Sequence, residues 1–420
     1  MRNARLISAF CVMLALCWAR ESRGADPLPF PILPADWQVR QSISVPPANL
    51  PAFGQKFGVK ITGLTNTILD ADGQRLQVNI IECASEGDAA KVAAALRPMK
   101  PNPACLLHLG TRVVEFVCQD IRLVLKAPFA LGLRPRSATY RVSLVVAAIE
   151  KCDYMKCTPL FNDFLNLQAH PEDQAARNAV VNDARGFTFG NTLVLRSLDS
   201  GGEQIAYEFS AMPEKITPLA ARDCTQYAFR NLPVNLGVPY VKVSARITTE
   251  AFKATPTTRQ PDLLLLCPTR FWPSDDKEIA ALAGRITAGY TTPEEKTWAI
   301  LDWLLPGRHL QFGGAETGSR YGVMQTLKQG YGHCWDFSDL FITLCRAAGV
   351  PCRQVGGWLV GQSGHVWAEV LLPAQGWMQI DPTAGTACGT DYLPFFTTET
   401  GEMPIVYLAM PEIEEVPADK

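Results

Sequence analysis

The sequence predicts a multidomain α+β fold, and three observations carry that prediction. The chain has 420 residues, more than one ordinary hydrophobic core accommodates. Short alternating runs bounded by turn residues dominate its first half. Apart from an Ala-rich stretch at Ser85–Leu96, helical periodicities appear after about residue 270 and are followed by two more alternating runs, so strands and helices are largely segregated.

Taken in order, residues 1–25 read as an export signal. Arg2 and Arg5 precede the apolar run Leu6–Ala19, and Ser22-Arg23-Gly24-Ala25 offers small residues for cleavage. The run is too short to span a bilayer comfortably and no later run is longer, which predicts a secreted or periplasmic protein with no integral membrane segment after signal removal. Removal takes away four Arg and one Glu, so the formal net charge moves from −2 to −5. Such a balance gives no electrostatic footprint for nucleic acid. Residues 26–52 hold Pro27, Pro29, Pro31, Pro34, Pro46, Pro47 and Pro51 and predict an extended lead-in. Residues 53–135 combine the β-prone run Arg75–Cys83, an Ala-rich helical rhythm at Ser85–Leu96 and two apolar runs split near Gly110, the pattern of a small α+β domain. Residues 136–260 carry strand patterns at Tyr140–Ala147, Phe187–Leu195, Gln204–Phe209 and Tyr240–Ile247, with a Gly201-Gly202 turn and a breaker cluster at Thr255–Pro261. They predict a β-rich, sandwich-like domain. Residues 270–395 open with helices at Asp275–Ala288 and Pro293–Leu305, the second capped by Thr292, and residues 396–420 read as a solvated C-terminal tail.

Of thirteen cysteines, eleven remain once Cys11 and Cys17 leave with the signal. An odd number in an oxidising compartment predicts disulfide bonds with at least one thiol left over, and Cys334 is the candidate for that thiol. Cys152 and Cys157 are near enough in sequence to pair, but spacing alone gives no connectivity.

Three residues in the last third suit nucleophilic chemistry. Asp336 to Ala348 has helical spacing, with Phe337, Leu340, Phe341, Leu344 and Cys345 on its apolar face and Gly349 and Pro351 as the stop. Cys334 therefore falls at the helix start, where unpaired amides and the helix field favour a thiolate and face any oxyanion formed there. His365, Trp367 and Glu369 share one face of an alternating run, and Trp377, Gln379 and Asp381 share one face of the next. A hairpin turning around Pro373 that pairs 369 with 377 sets His365 directly beside Asp381. One imidazole nitrogen then takes the carboxylate while the other faces Cys334. The competing readings are structural: a cystine at Cys334, a strand histidine, and an Asp-Pro turn at Asp381. His333, His365, Cys345 and Cys352 match none of the common zinc spacings, so neither metal nor cofactor is expected.

These pieces resemble the transglutaminase-like superfamily, which includes cysteine peptidases and peptide N-glycanases. The resemblance rests on Gly332-His333-Cys334-Trp335-Asp336-Phe337, Leu344 through Gly357, Gly364-His365-Val366-Trp367-Ala368-Glu369-Val370, and Gly376-Trp377 through Asp381-Pro382-Thr383. It implies a papain-like catalytic core over about 270–395, with Cys334 as nucleophile, His365 as its proton partner and Asp381 as third member. Trp335, Gln329, Tyr331 and Trp367 are candidates for oxyanion or substrate contacts. The 31-residue interval from Cys334 to His365 is similar to that of microbial members, and no run resembles the calcium loops of the animal enzymes. The expected reaction is acyl transfer or hydrolysis at peptide or glutamine amides through a cysteine thioester. Hydrolysis is favoured because no acceptor motif is visible. The alternatives are protein crosslinking and a non-catalytic cell-envelope scaffold.

Overall fold

The computed structural model describes residues 30–100, 105–134, 137–152, 154–190, 192–197, 199–200, 203–204, 206–210, 216–220, 225–230, 232–250, 262–314, 320–373 and 376–416. The expected signal at 1–25, the Gly201-Gly202 turn and the Thr255–Pro261 link lie outside them. Both compact units of the chain mix strands and helices, as the patterning predicts. The first contains the described residues up to Arg97 together with Leu106–Val124, and the second contains the described residues of Pro98–Cys105 and those from Leu125 onward.

The first unit is a five-stranded antiparallel sheet. It comprises β1 (Gln38–Ser44), β2 (Ile61–Ala71), β3 (Gln74–Cys83), β4 (Leu106–Leu109) and β5 (Arg112–Val117), in the order β1-β2-β3-β5-β4. The β2–β3 turn places Asp72 and Gly73 at φ 50° and 74°, a left-handed pair that an Asp-Gly dipeptide adopts readily. Helices α1 (Leu50–Phe57) and α2 (Glu86–Leu96) bury Leu50, Phe53, Ala89, Val92 and Leu96 with Leu64, Ile81 and Val113 of the sheet. The proline-dense lead-in is more regular than expected. Its prolines flank β1 without interrupting it, and Pro51 sits in the first turn of α1, where no N–H is needed.

In the second unit the long strand β6 (Ser137–Cys152) is central. One edge pairs with β8 (Val241–Glu250), which in turn pairs with β7 (Ala206–Ser210). Two helices, α3 (Tyr154–Ala169) and α4 (Gln174–Ala184), interrupt what reads as purely β-rich sequence. Helices α5 (Lys277–Ile286), α6 (Pro293–Leu304), α7 (Val323–Gln329) and α8 (Cys334–Ala347) precede a second sheet. Its longer strands are β9 (Cys352–Leu359), β10 (Gly364–Leu372), β11 (Gly376–Asp381) and β12 (Tyr392–Thr398), in the order β11-β10-β9-β12, and the short strand Thr386–Ala387 adds a fifth beside β11. The Thr292 cap of α6 forms with its full capping box through Glu295.

Residues 396–416 are not a solvated tail. Strands β13 (Met403–Tyr407) and β14 (Glu412–Val416) both pair with the second edge of β6, and the exposed face of β14 explains its Glu-rich composition. Val142, Val146, Val243 and Ile247 share one core with Val355, Trp367, Leu393 and Phe396, so residues 136–260 and 270–395 build a single hydrophobic interior.

The expectation of disulfide bonds is corrected at eight of the described cysteines. Cys83, Cys105, Cys118, Cys267, Cys334, Cys345, Cys352 and Cys388 are not in disulfides, and all but Cys118, Cys267 and Cys334 are buried as small apolar side chains. Among the described residues no helix is long and apolar enough to cross a membrane.

Candidate active site

Helix α8 is enclosed on every side, with all residues from Trp335 to Arg346 buried. Its polar side chains are therefore satisfied one by one. Asp336 accepts from the His333 N–H at 3.0 Å, the Tyr321 N–H at 2.7 Å and the Thr326 hydroxyl at 3.2 Å. Burial nevertheless pushes its carboxyl above the usual carboxylate range, against the hydrogen bonds from His333 and Tyr321. Asp339 accepts from the Trp272 indole at 2.8 Å and from Gln354 at 3.1 Å, and it forms an ion pair with Arg320 at 2.6 Å. The Arg320 guanidinium lies over the Phe271 ring and over the Trp335 ring, 4.7 Å from the latter's centroid. Gly332 is required here, because a Cβ would lie 2.5 Å from the Asp336 Cβ.

This framework fixes Cys334 as the first residue of α8, half-buried against the core and two residues beyond the short strand Tyr331–Gly332. The Ser338 hydroxyl donates to the Val366 carbonyl at 3.1 Å, tying the helix to β10 one residue from His365. His365 Nε2 lies 2.8 Å from Asp381 Oδ2, which leaves Nδ1 for a second partner, and Cys334 is near enough to act on the charge of the ring. Burial disfavours the charged imidazole, but the Asp381 charge and hydrogen bond prevail, with Cys334 adding to them, and push its pKa up to about 10. Asp381 is held below the usual range despite burial, by the His365 charge and by donors from Tyr392 and the loop behind it. The Tyr392 hydroxyl donates to Oδ2 and the Thr383 N–H to Oδ1, each at 2.8 Å.

The hairpin that joins the histidine and aspartate has a different register from the expected one. Glu369 faces Gln379 and Leu371 faces Trp377, a slip of two residues. A two-residue slip preserves the face of every side chain, whereas a slip of one reverses it. His365 therefore reaches Asp381 diagonally, across a spacing that long side chains bridge.

The remaining candidates divide. Trp335 is buried in the core beneath Arg320, so its side chain is closed to a ligand. The Gln329 amide donates to the Tyr331 carbonyl at 2.8 Å, and the Tyr331 ring is 37% exposed and packs edge-on against Tyr321. Trp367 is fully buried, its indole N–H donating to Gln379 at 2.7 Å and its ring edge-on to Tyr392. Its ring also stacks against His365, with centroids 6.1 Å apart. Sequence reasoning did not reach Tyr392, because Tyr-Leu-Pro-Phe-Phe signals only an apolar strand, nor Arg320, whose partner lies 19 residues away. Among the described residues no group of three or more His, Cys, Asp or Glu is arranged to hold a metal ion.

Residues 280–382 match the transglutaminase-like superfamily, a span that includes Cys334, His365 and Asp381. The YebA protein of Bacillus subtilis is 30% identical over 87 residues, 17% of this chain and 12% of YebA. A protein-glutamine gamma-glutamyltransferase of Pseudomonas aeruginosa is 32% identical over 65 residues, 12% of this chain and 10% of the relative. The chain thus spans only about a tenth of these relatives' own lengths. Among solved structures, the periplasmic domain of TgpA from Pseudomonas aeruginosa aligns with 60% of this chain and 89% of its own at 16% identity, with a TM-score of 0.32. The sequence matches establish distant homology between the region around Cys334 and the transglutaminase-like superfamily.

Proposed function

We propose that this protein is a thiol-dependent acyl-transfer enzyme that acts on peptide or glutamine amides through a Cys334 thioester, with hydrolysis as the main outcome. The observation that carries this reading is the 2.8 Å His365–Asp381 pair, with the second ring nitrogen left for a partner and the thiol that begins a buried helix near enough to act on the charge of the ring. In the proposed cycle the Cys334 thiolate attacks the amide carbonyl. The first-turn amides of α8, including the Trp335 N–H, receive the oxyanion. As the C–N bond breaks, His365 gives its Nδ1 proton to the departing amine, leaving an acyl-thioester on Cys334. His365 then takes a proton from water, whose oxygen attacks the thioester, and as the C–S bond breaks the acyl group leaves as a carboxylic acid and the Cys334 thiolate is regenerated. Asp381 keeps the ring oriented and stabilises its charged form throughout.

A crosslinking outcome, with a primary amine in place of water, is the second reading. It is favoured by the name of the Pseudomonas aeruginosa relative. A non-catalytic scaffold is the third. On the Arg2, Arg5 and Leu6–Ala19 pattern we further propose that the protein works outside the cytoplasm, in the periplasm or as a secreted protein. Incubating the full chain with glutamine-containing peptides, with and without a primary amine, and weighing the products tests the first two readings. Cleavage or deamidation supports hydrolysis and an amine adduct supports crosslinking. No product across a broad peptide set, together with Cys334 alkylation that His365→Ala leaves unchanged, rejects both.

A further inference from the structure

The geometry points to Tyr392 as a positioning residue that sets how firmly Asp381 holds the His365 imidazolium, and through it how readily the ring surrenders its proton. The inference rests on the nucleophile–base reading above and deepens it. Asp381 Oδ2 serves two donors at once, His365 Nε2 at 2.8 Å and the Tyr392 hydroxyl at 2.8 Å. Oδ1 is engaged separately by the Thr383 N–H, so the phenol is not needed merely to stop the carboxylate from rotating. Its distinct contribution is to draw charge from the oxygen that faces the imidazole.

The phenol is delivered by a built feature of the sheet. Strand β12 approaches β9 at Gly356 and Gly357, where the pairing register shifts. A Cβ on Gly357 would lie 1.9 Å from the Leu393 carbonyl oxygen, and one on Gly356 would lie 2.2 Å from the Phe396 ring. Only glycines allow β12 this close, and Tyr392 begins that strand opposite Leu359. Its ring is 5% exposed, edge-on to Trp367 at 5.4 Å and 6.0 Å from His365, so the hydroxyl has a fixed aim. Burial raises its own pKa well above the ordinary phenol value, the Asp381 charge adding to the effect, and the group remains a proton donor across the working range. The titratable groups around the cluster are Cys334 from α8, Asp381 from β11, and Cys388 and Asp391 from the segment leading into β12.

The chemical step at stake is the transfer of the Nδ1 proton to the leaving amine as its C–N bond breaks. With Tyr392→Phe, Oδ2 serves the imidazole alone, the charged ring is held more firmly, and that transfer slows. NMR titration of 15N-histidine-labelled full chain reads the effect directly. The His365 titration is expected to move up by about half a unit in Tyr392→Phe, with a fall in kcat of up to about threefold on a cleaved peptide and little change in KM. Replacing Tyr392 by 3-fluorotyrosine, a stronger donor of the same shape, is expected to move the titration down. A Tyr392→Phe titration that coincides with the wild type or falls below it overturns the assignment, as does a fluorotyrosine shift in the upward direction. Alkylation of Cys334 in His365→Ala separates the two levels. If that variant reacts as fast as wild type, the nucleophile–base reading itself fails. If it reacts slowly while the Tyr392 titrations do not move, only the role of Tyr392 fails.

Discussion

Replacing His365 by Gln removes a charge that the folded protein holds far more strongly than the unfolded chain does. Its pKa rises from 6.5 to about 10, because the Asp381 charge and hydrogen bond, aided by Cys334, outweigh the burial that opposes the charged ring. At about 1.4 kcal/mol per unit, the charged ring contributes at most ~5 kcal/mol to folding. A group whose pKa is raised on folding contributes fully below its unfolded pKa, and the contribution is lost as pH climbs through the folded value. It is therefore complete below pH 6.5 and disappears as the pH rises through about 10. Gln cannot titrate, so the stability difference between wild type and His365→Gln must shrink across that window. Urea unfolding of both proteins, followed by tryptophan fluorescence at about pH 6 and about pH 10.5, is expected to show the difference fall by several kcal/mol. A difference that stays constant refutes the reasoning. Asp381 supplies the converse behaviour: its carboxyl is held below the usual range, so its contribution is present at neutral pH and is lost on acidification through its folded pKa.

Two further substitutions test the frame around the site. Gly357→Ala drives a methyl into the Leu393 carbonyl, which is backbone and cannot swing away, so β12 must lift from β9. A loss of roughly 1–3 kcal/mol or more is expected in thermal unfolding, with slowed Cys334 alkylation because Tyr392 moves with the strand. Arg320→Ala leaves Asp339 charged and buried with only neutral donors, and is expected to destabilise the unit by about 3–5 kcal/mol. Arg320→Lys, which keeps the charge but not the fork, recovers only part of that loss, as urea midpoints will measure.

The site was legible where chemistry and local periodicity coincide. Helix α8 announces itself through Phe337, Leu340, Phe341 and Leu344, and Cys334 is fixed at its start by the glycine and histidine that precede it. The faces of β10 and β11 were equally readable because alternation is a local property. Their register was not. It is set by the turn after Leu372 and by packing against β9, and both placements of Glu369, against Trp377 or Gln379, keep the same faces. Gln329 was attractive by position, but its amide serves the Tyr331 carbonyl two residues on, a competition that spacing does not reveal. The C-terminal strands were missed for a different reason. Glu412, Glu414 and Glu415 lie on a strand that stays largely solvated, so composition mimics a tail while backbone pairing, which composition does not report, makes it part of the sheet.

That pairing ties the beginning of the second unit to residues made far later. Arg141 and Glu414 meet although 273 positions separate them. Until the late strands have been synthesised, β6 carries a bare row of amides and carbonyls along one side, a template for unwanted strand addition. Closure of so long a loop also comes late and slowly in folding. A chain interrupted anywhere between β12 and β13 would retain every residue of the proposed chemistry and still leave β6 without its second neighbour, making this C-terminal seam, rather than the reactive centre, the step that commits the unit to its final shape.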